Sequence, residues 1–263
     1  PYTTLFRSDG NLRVGTLMGF ILGFGLYGST LIIPIYTQQI LGWTATDAGL
    51  LLIPGSITTA FMMPIIGNMI QKGVPQPYLV AIGFLIFFFF TLWMHNNMTP
   101  DTGSEHLFWA LILRGIGLGL LFVPITTMSL STLKGKSIGE GAAFTGMMRQ
   151  LGGSFGIAII TTYITRFSQE HRVNLVAKLD VTKLEVQQRV TQLQQGFMAK
   201  GFSANEALNK AYQALDYSVM KQSTVQSYMD VFIYLGILFL CCIPVILFIK
   251  KGKSKVDLSE AMH

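Results

Sequence analysis

The 263-residue chain has few charged residues: Asp, Glu, Lys and Arg make up only 12% of it, about half of the 25% or so that is usual in soluble domains. No charged residue occurs between Arg13 and Asp47. Hydrophobic residues make up 51%. This composition excludes an ordinary soluble domain and predicts an all-α integral membrane protein, because a helix satisfies its own backbone hydrogen bonds inside a bilayer.

Residues that carry catalysis or bind metals are also scarce. The two cysteines, Cys241 and Cys242, are adjacent; they are poor disulfide partners, and we expect both to face lipid. The four histidines lie outside the apolar runs, and no HExxH pattern occurs. We therefore expect no enzyme, no cofactor and no metal site. The net charge of +6 is explained by basic loops and a basic tail, and we expect no nucleic-acid partner.

Runs of apolar residues predict six membrane spans, because a helix needs about 20 such residues to cross a bilayer. Residues 9–165 hold five of them. Residues 166–227 follow as a helical insertion, since Thr182 and Glu185, and Ser203 and Glu206, have the spacing of capping boxes. The distribution of Lys and Arg predicts a cytoplasmic basic tail, 251–263, and a periplasmic insertion. The six spans are 14–35, 48–70, 78–94, 107–131, 141–163 and 228–250.

The spans differ in character, and the difference repeats. The third and sixth are almost uniformly apolar, which indicates outer helices exposed to lipid on most sides. The other four contain glycines, prolines and polar residues, which indicates inner helices. Two sets of three related helices are typical of secondary transporters, whose binding sites lie near the middle of the membrane.

Two arginines within the spans, Arg114 and Arg149, are the strongest candidates for a site. An Arg at membrane depth should face the bundle interior or a water-filled cavity. The structural alternative is a guanidinium that bonds only to carbonyl groups of neighbouring helices. Further candidates for lining a substrate cavity are aromatic, amide and methionine side chains, with ordinary helix packing as the alternative. The full set is Tyr27, Tyr36, Gln38, Gln39, Arg114, Phe144, Met147, Met148, Arg149 and Gln150.

Glycines spaced four residues apart predict close contacts between helices, because a stripe without side chains lets another backbone approach. The chain has such stripes in the first, fourth and fifth spans. The glycines assigned to packing are Gly15, Gly19, Gly23, Gly115, Gly119, Gly152 and Gly156.

Four segments resemble a known family: PIYTQQILGWTATDAGLLLIPG (34–55), RGIGLGLLFVP (114–124), MRQLGGSFGIAI (148–159) and QSYMDVF (226–232). They are similar to the C-terminal six-helix half of a major facilitator superfamily exporter, of the 14-helix drug:proton antiporter type (EmrB/QacA). One departure stands at Gln71, where the family's cytoplasmic loop motif usually has an acidic residue.

The resemblance implies a transporter of drugs or other amphipathic small molecules in the bacterial inner membrane, working by alternating access in exchange for protons. Its partners would be membrane lipid, a missing N-terminal half that carries the proton-coupling acid, a periplasmic adaptor and an outer-membrane channel. We expect residues 1–8, PYTTLFRS, to be a non-native adapter-derived tail. Two alternatives stay open: a standalone six-helix protein that dimerises, and an exporter of one dedicated metabolite.

Overall fold

A computed structural model describes residues 10–180 and 182–247 of the chain. The expected tails at 1–8 and 251–263, and the last residues of the sixth predicted span, lie outside these ranges. All regular structure in the described ranges is helical. The seven helices are α1 (Gly10–Gln39), α2 (Ala45–Gln71), α3 (Gln76–Asn97), α4 (Ser104–Leu130), α5 (Lys136–Lys178), α6 (Leu184–Met198) and α7 (Ala204–Leu247).

Five helices are long and apolar enough to cross a membrane: α1, α2, α3, α4 and α7 as far as Pro244. Helix α5, which contains the fifth predicted span, is not among them. It carries polar groups such as Arg149, Gln150 and Ser154 in its central part, and these lower its mean hydropathy. Five of the six predicted spans are thus supported by length and composition.

Contacts along α5 show how it runs relative to α1. Gly19 faces Thr145, Gly23 faces the backbone of Arg149, and Gly28 faces the side chain of Ile160. Residue numbers rise together on the two helices, so α1 and α5 are parallel neighbours. Helix α5 therefore extends through the same layer as α1, a helix that is itself long and apolar enough to span.

All seven glycines assigned to packing lie against another helix. A Cβ at Gly23 would overlap the carbonyl of Arg149, and one at Gly152 would overlap the carbonyl of Phe20. The other five face Ser129 (Gly15), Thr145 (Gly19), the Gly55 carbonyl (Gly115), Met62 (Gly119) and the Phe24 backbone (Gly156). The α1–α5 and α2–α4 pairs thus pack with backbones closer than any side chain would permit.

Helix α4 lies at the centre of the bundle. It contacts α1, α2, α3 and α5, and it buries fourteen of its residues, including Gly115, Gly117 and Gly119. Gly117 faces the backbone of α3 near Phe87, whereas Gly115 and Gly119 face α2. Because small residues lie on two sides of α4, neighbouring helices can approach it closely from both sides.

Helix α3, predicted to be an outer helix exposed to lipid on most sides, has one buried face that its sequence did not mark. Its stripe of Phe84, Phe87 and Phe90 is completely buried. The ring of Phe87 lies 4.5 Å from that of Phe239 on α7, centroid to centroid, and that of Phe90 lies 5.7 Å from Phe232. The opposite stripe, which includes Tyr78, Phe89 and Trp93, is exposed. Uniform apolarity conceals this face because lipid and protein interior accept the same side chains.

Helices α5 and α7 continue beyond the apolar layer as an antiparallel pair. The Arg172 guanidinium lies 2.7 Å from the Asp216 carboxylate, and His171 Nε2 lies 2.7 Å from Asp230 Oδ2. Helix α6 packs along α7. The segment predicted to be an insertion, 166–227, is therefore built largely from extensions of two long helices.

Of the two predicted capping boxes, one forms. Ser203 N donates to Glu206 Oε2 at 3.1 Å, and Glu206 N donates to Ser203 Oγ at 3.4 Å. The preceding Gly201 has a φ of 92°, which glycine adopts readily in such a turn. The prediction of a capping box at Thr182 is wrong. Helix α6 begins after Lys183, which makes no side-chain capping hydrogen bond. Thr182 N donates to Asp180 instead.

The expectation that both cysteines face lipid is half right. Cys241 is exposed, but Cys242 is buried. Adjacent residues on a helix are separated by about 100° around its axis, so the two thiols of this pair point in different directions.

We expect Gly152→Ala to lower the stability of the chain by about 1–3 kcal/mol, because its Cβ would push the α5 backbone away from Phe20. Thermal unfolding of detergent-purified protein measures the effect. Gly146→Ala is the matched control on the same helix, since nothing lies within 4 Å of a Cβ there. Equal loss of stability in both variants would contradict close packing at Gly152.

The Ser203 capping box lowers the pKa of Glu206 below its ordinary value, because the Ser203 hydroxyl and backbone N–H donate to the carboxylate. The stabilisation is fully present above the unfolded pKa of about 4.3 and is lost as the pH falls through the lower folded pKa. We expect Ser203→Ala to raise the pKa of Glu206, measured from its ¹³C-carboxyl shift. Ser218→Ala is the control, since its hydroxyl bonds only to Ala214 within α7; an identical pKa in Ser203→Ala and the unaltered protein would refute the box.

Candidate functional site

Arg114 is buried in the centre of the bundle, with 6% of its surface exposed. Its Nε donates to Ser29 Oγ at 3.1 Å, and its Nη2 donates to the Leu26 carbonyl at 3.4 Å and to Thr30 Oγ1. All three acceptors belong to one turn of α1. The guanidinium therefore ties α4 to α1 through hydrogen bonds rather than through an ion pair.

The α1 turn that holds Arg114 is itself ordered by side chains. Ser29 Oγ donates to the Gly25 carbonyl at 2.7 Å, and Thr30 Oγ1 donates to the Leu26 carbonyl at 2.6 Å. Hydroxyls that bond back to the preceding turn are satisfied inside an apolar helix, and each oxygen retains a lone pair for the guanidinium.

A groove of about 260 Å³ opens beside Arg114. It lies between α1, α2 and α4, and most of its wall is apolar. Three hydroxyl-bearing residues, Thr30, Ser56 and Thr59, supply polarity together with Arg114. The remaining lining residues are Leu26, Leu52, Gly55, Met63, Leu118 and Phe122. An apolar wall with a few convergent polar groups is the usual composition of a small-molecule site.

Arg149 contacts Phe122, one of the residues that line this groove. Its Cζ is 4.2 Å from the centre of the Phe122 ring, a cation–π distance. Next to it in sequence, Gln150 accepts a hydrogen bond from the Tyr27 hydroxyl at 2.7 Å. The structure thus brings together Tyr27, Arg149 and Gln150 in a second polar cluster, and Phe122 belongs to both regions.

Other predicted cavity residues lie elsewhere. Tyr36 does not line the groove: it is completely buried, and its hydroxyl donates to the Thr99 carbonyl at 2.6 Å. Gln38 and Gln39 are exposed at the end of α1, where Gln39 Oε1 accepts from the Tyr228 hydroxyl at 3.3 Å. The sequence suggested one cavity-lining group because Tyr36, Gln38 and Gln39 all follow Pro34 at the end of the apolar run.

The apolar candidates Phe144, Met147 and Met148 precede Arg149 on α5 by five, two and one residues. Met147 is half exposed, while Phe144 and Met148 are partly buried. None of the three lines the groove beside Arg114. They lie near the second polar cluster, on the part of α5 that precedes Arg149.

Sequence reasoning missed Ser29, Thr30, Ser56 and Thr59 as parts of the site. Thr59 Oγ1 reaches the Gly115 carbonyl at 3.1 Å, one residue from Arg114. Their signal was present as hydroxyl residues within apolar spans: the pair Ser29 and Thr30 on α1, and Ser56 and Thr59 on α2. It was hidden because Ser and Thr in such spans usually bond to their own helix.

Comparison with known proteins identifies the family. Residues 2–157 match the Major Facilitator Superfamily. The chain belongs to the Major Facilitator Superfamily. Members of this superfamily are transporters, so the chain is not an enzyme. Its long apolar helices agree with a multi-pass membrane protein.

Several relatives within the superfamily are exporters or resistance proteins by name. The chain is 27% identical over 244 residues to the fatty acid resistance protein FarB of Neisseria gonorrhoeae. This match covers 92% of the chain and 46% of FarB. It is 27% identical over 191 residues to the multidrug export protein EmrB of Escherichia coli K12, covering 73% and 37%. The chain spans less than half the length of these superfamily relatives.

A solved structure shows the same fold at low identity. It is a bacterial homolog of the human lysosomal transporter Spinster, in an inward-facing and unoccupied conformation. It is 15% identical, with a TM-score of 0.60, and the match covers 96% of this chain and 51% of that one. At this identity the likeness bears on the superfamily fold alone.

We expect Ser29→Ala to destabilise the protein by roughly 1–3 kcal/mol, because it leaves the buried Nε of Arg114 without an acceptor. Thermal unfolding in detergent measures the loss. Ser56→Ala is the matched control in the same groove, since the Ser56 hydroxyl donates only to Leu52 within α2. A Ser29 variant as stable as the Ser56 variant would show that the bond contributes nothing.

Proposed function

We propose that this chain is one half of a secondary transporter that exports drug-like amphipathic molecules in exchange for protons by alternating access. The observation that carries the proposal is the groove beside Arg114. It joins a buried cation and three hydroxyl-bearing residues to an apolar wall between three helices. The names of relatives such as EmrB and FarB support export as the direction of transport.

The exposed faces of α2 and α5 support a second half. On α2 a continuous stripe of large apolar side chains, including Ile57 and Phe61, is exposed. On α5 the exposed side chains include Met147, Leu151 and Phe155. These two helices flank the groove region, so a partner half placed over them would enclose it and complete a central cavity. The length of the superfamily relatives fits such a half.

We propose that α5 also spans the membrane, as the fifth of six spans, because it runs parallel to α1 through the same layer. The positive charge of the short loops then favours a cytoplasmic C-terminus and a periplasmic α5–α6–α7 extension. In that position the extension would be accessible to an adaptor that leads to an outer-membrane channel.

Proton coupling would depend on an acidic residue of the second half. Within the described residues, the carboxylates of α1 to α4 stand at helix starts, as Asp47 and Glu105 do. Neither is near the middle of the layer, where Arg114 lies. The coupling acid expected from the resemblance therefore has no counterpart in this part of the chain.

The experiment compares two reading frames in an efflux-deficient bacterial host. We expect the full-length frame that contains this chain to raise resistance to amphipathic drugs above vector control, and to lose this effect when a protonophore collapses the proton gradient. We expect the 263-residue chain alone to give no resistance, because its cavity would have only one wall. Resistance from the chain alone would contradict the proposal that it is a half and favour a self-assembling six-helix transporter.

A further inference from the structure

The guanidinium of Arg114 is only partly used by the protein. Of its three nitrogens, Nε and Nη2 donate to the α1 turn. Nη1 donates no hydrogen bond to any described residue, and the one buried side-chain nitrogen or oxygen left without a partner there is Thr16 Oγ1. Nη1 is therefore not enclosed. The open space that Arg114 borders is the groove between α1, α2 and α4.

The charge of Arg114 is also not matched by a carboxylate. The ion pairs among the described residues are His171–Asp230 and Arg172–Asp216, and both lie on the α5–α7 pair. The groups that contact Arg114 are two hydroxyls and a carbonyl. Neutral acceptors satisfy the N–H groups but leave a full positive charge in a site of low dielectric, where an anion would be attracted strongly.

From these two observations we infer that the groove binds the anionic head group of an amphiphile, with the carboxylate or equivalent anion on Nη1 of Arg114. The inference rests on the proposed function and narrows its substrate class. Nε and Nη2 are already engaged by α1, so Nη1 supplies the charge-assisted N–H donors that the anion would accept from.

The rest of the groove suits an apolar tail. Leu52, Met63 and Leu118 line it, and it adjoins the exposed apolar stripe of α2 around Ile57 and Phe61. A tail laid along this stripe would stay in an apolar environment while its head reached Arg114. A cationic head group would meet the uncompensated charge and be repelled, so the groove should select by the sign of the head group.

The head group could come from a free amphiphile or from an anionic phospholipid, since both offer the same chemistry. The test uses the purified chain in phosphatidylcholine nanodiscs. Three radiolabelled ligands of equal tail length are compared at pH 8: laurate, dodecanol and dodecyltrimethylammonium. Partition into empty nanodiscs is subtracted. We expect saturable binding of laurate, tighter than that of either other ligand by about tenfold or more.

Variants connect this selectivity to Arg114. We expect Arg114→Gln to weaken laurate binding by about tenfold or more and to leave dodecanol unchanged. Arg114→Lys should retain a preference for laurate over dodecanol. Arg166→Gln, which alters an exposed arginine of α5, is the control and should change nothing. If Arg114→Gln does not fold, the inference is still tested by the three-ligand comparison on the unaltered protein and on Arg114→Lys.

Equal binding of all three ligands, or equal weakening of all three by Arg114→Gln, would overturn the inference. Adding phosphatidylglycerol to the nanodiscs separates the two sources: competition with laurate assigns the anion site to lipid, and its absence assigns it to a free amphiphile. Efflux by the full-length frame without a laurate preference here would refute the anion site alone. A laurate preference without efflux would refute the transport proposal alone.

Discussion

A buried guanidinium must find hydrogen bonds inside the protein, and the centre of this bundle is arranged around that requirement. Arg114 finds acceptors in one turn of α1, where Ser29 and Thr30 already bond back to their own helix. This contact fixes α1 beside α4. Because α1 also carries the glycines that receive α5, the position of Arg114 determines indirectly where the fifth helix lies.

Close backbone contact is the second constraint, and it occurs twice in the same form. The pairs α1–α5 and α2–α4 are both parallel, and each has carbonyl groups that would overlap an added Cβ, at Gly23 and Gly152 in one pair and at Gly115 in the other. Helices that pack through glycine gain dispersion contacts without relying on a hydrophobic effect, which is absent between apolar surfaces in lipid. Helices α3 and α7, by contrast, pack through aromatic side chains.

Much of this arrangement could be predicted from sequence, because it depends on residues that stand out in an apolar context. Arginine, glycine and capping residues are such signals, and Arg114, Gly23 and Ser203 gave correct expectations of burial, close approach and a helix start. The buried face of α3 and the burial of Tyr36 could not be predicted. Apolar side chains look the same whether they meet lipid or protein, and a tyrosine at a helix end can turn either way. The roles of Ser29 and Thr30 required knowledge of which turn of α1 faces Arg114.

The continuity of α5 and α7 has a mechanical consequence. With 43 and 44 residues, each is about 65 Å long at a rise of 1.5 Å per residue, roughly twice the thickness of a bilayer core. Neither is interrupted where it leaves the apolar layer, and Arg172 and His171 bond across the pair. The two helices therefore act as one lever: a tilt of about 10° at the glycine contacts displaces a tip some 20 Å away by roughly 4 Å. A movement among the buried helices would in this way be carried, without a hinge, to the far end of the α5–α7 pair.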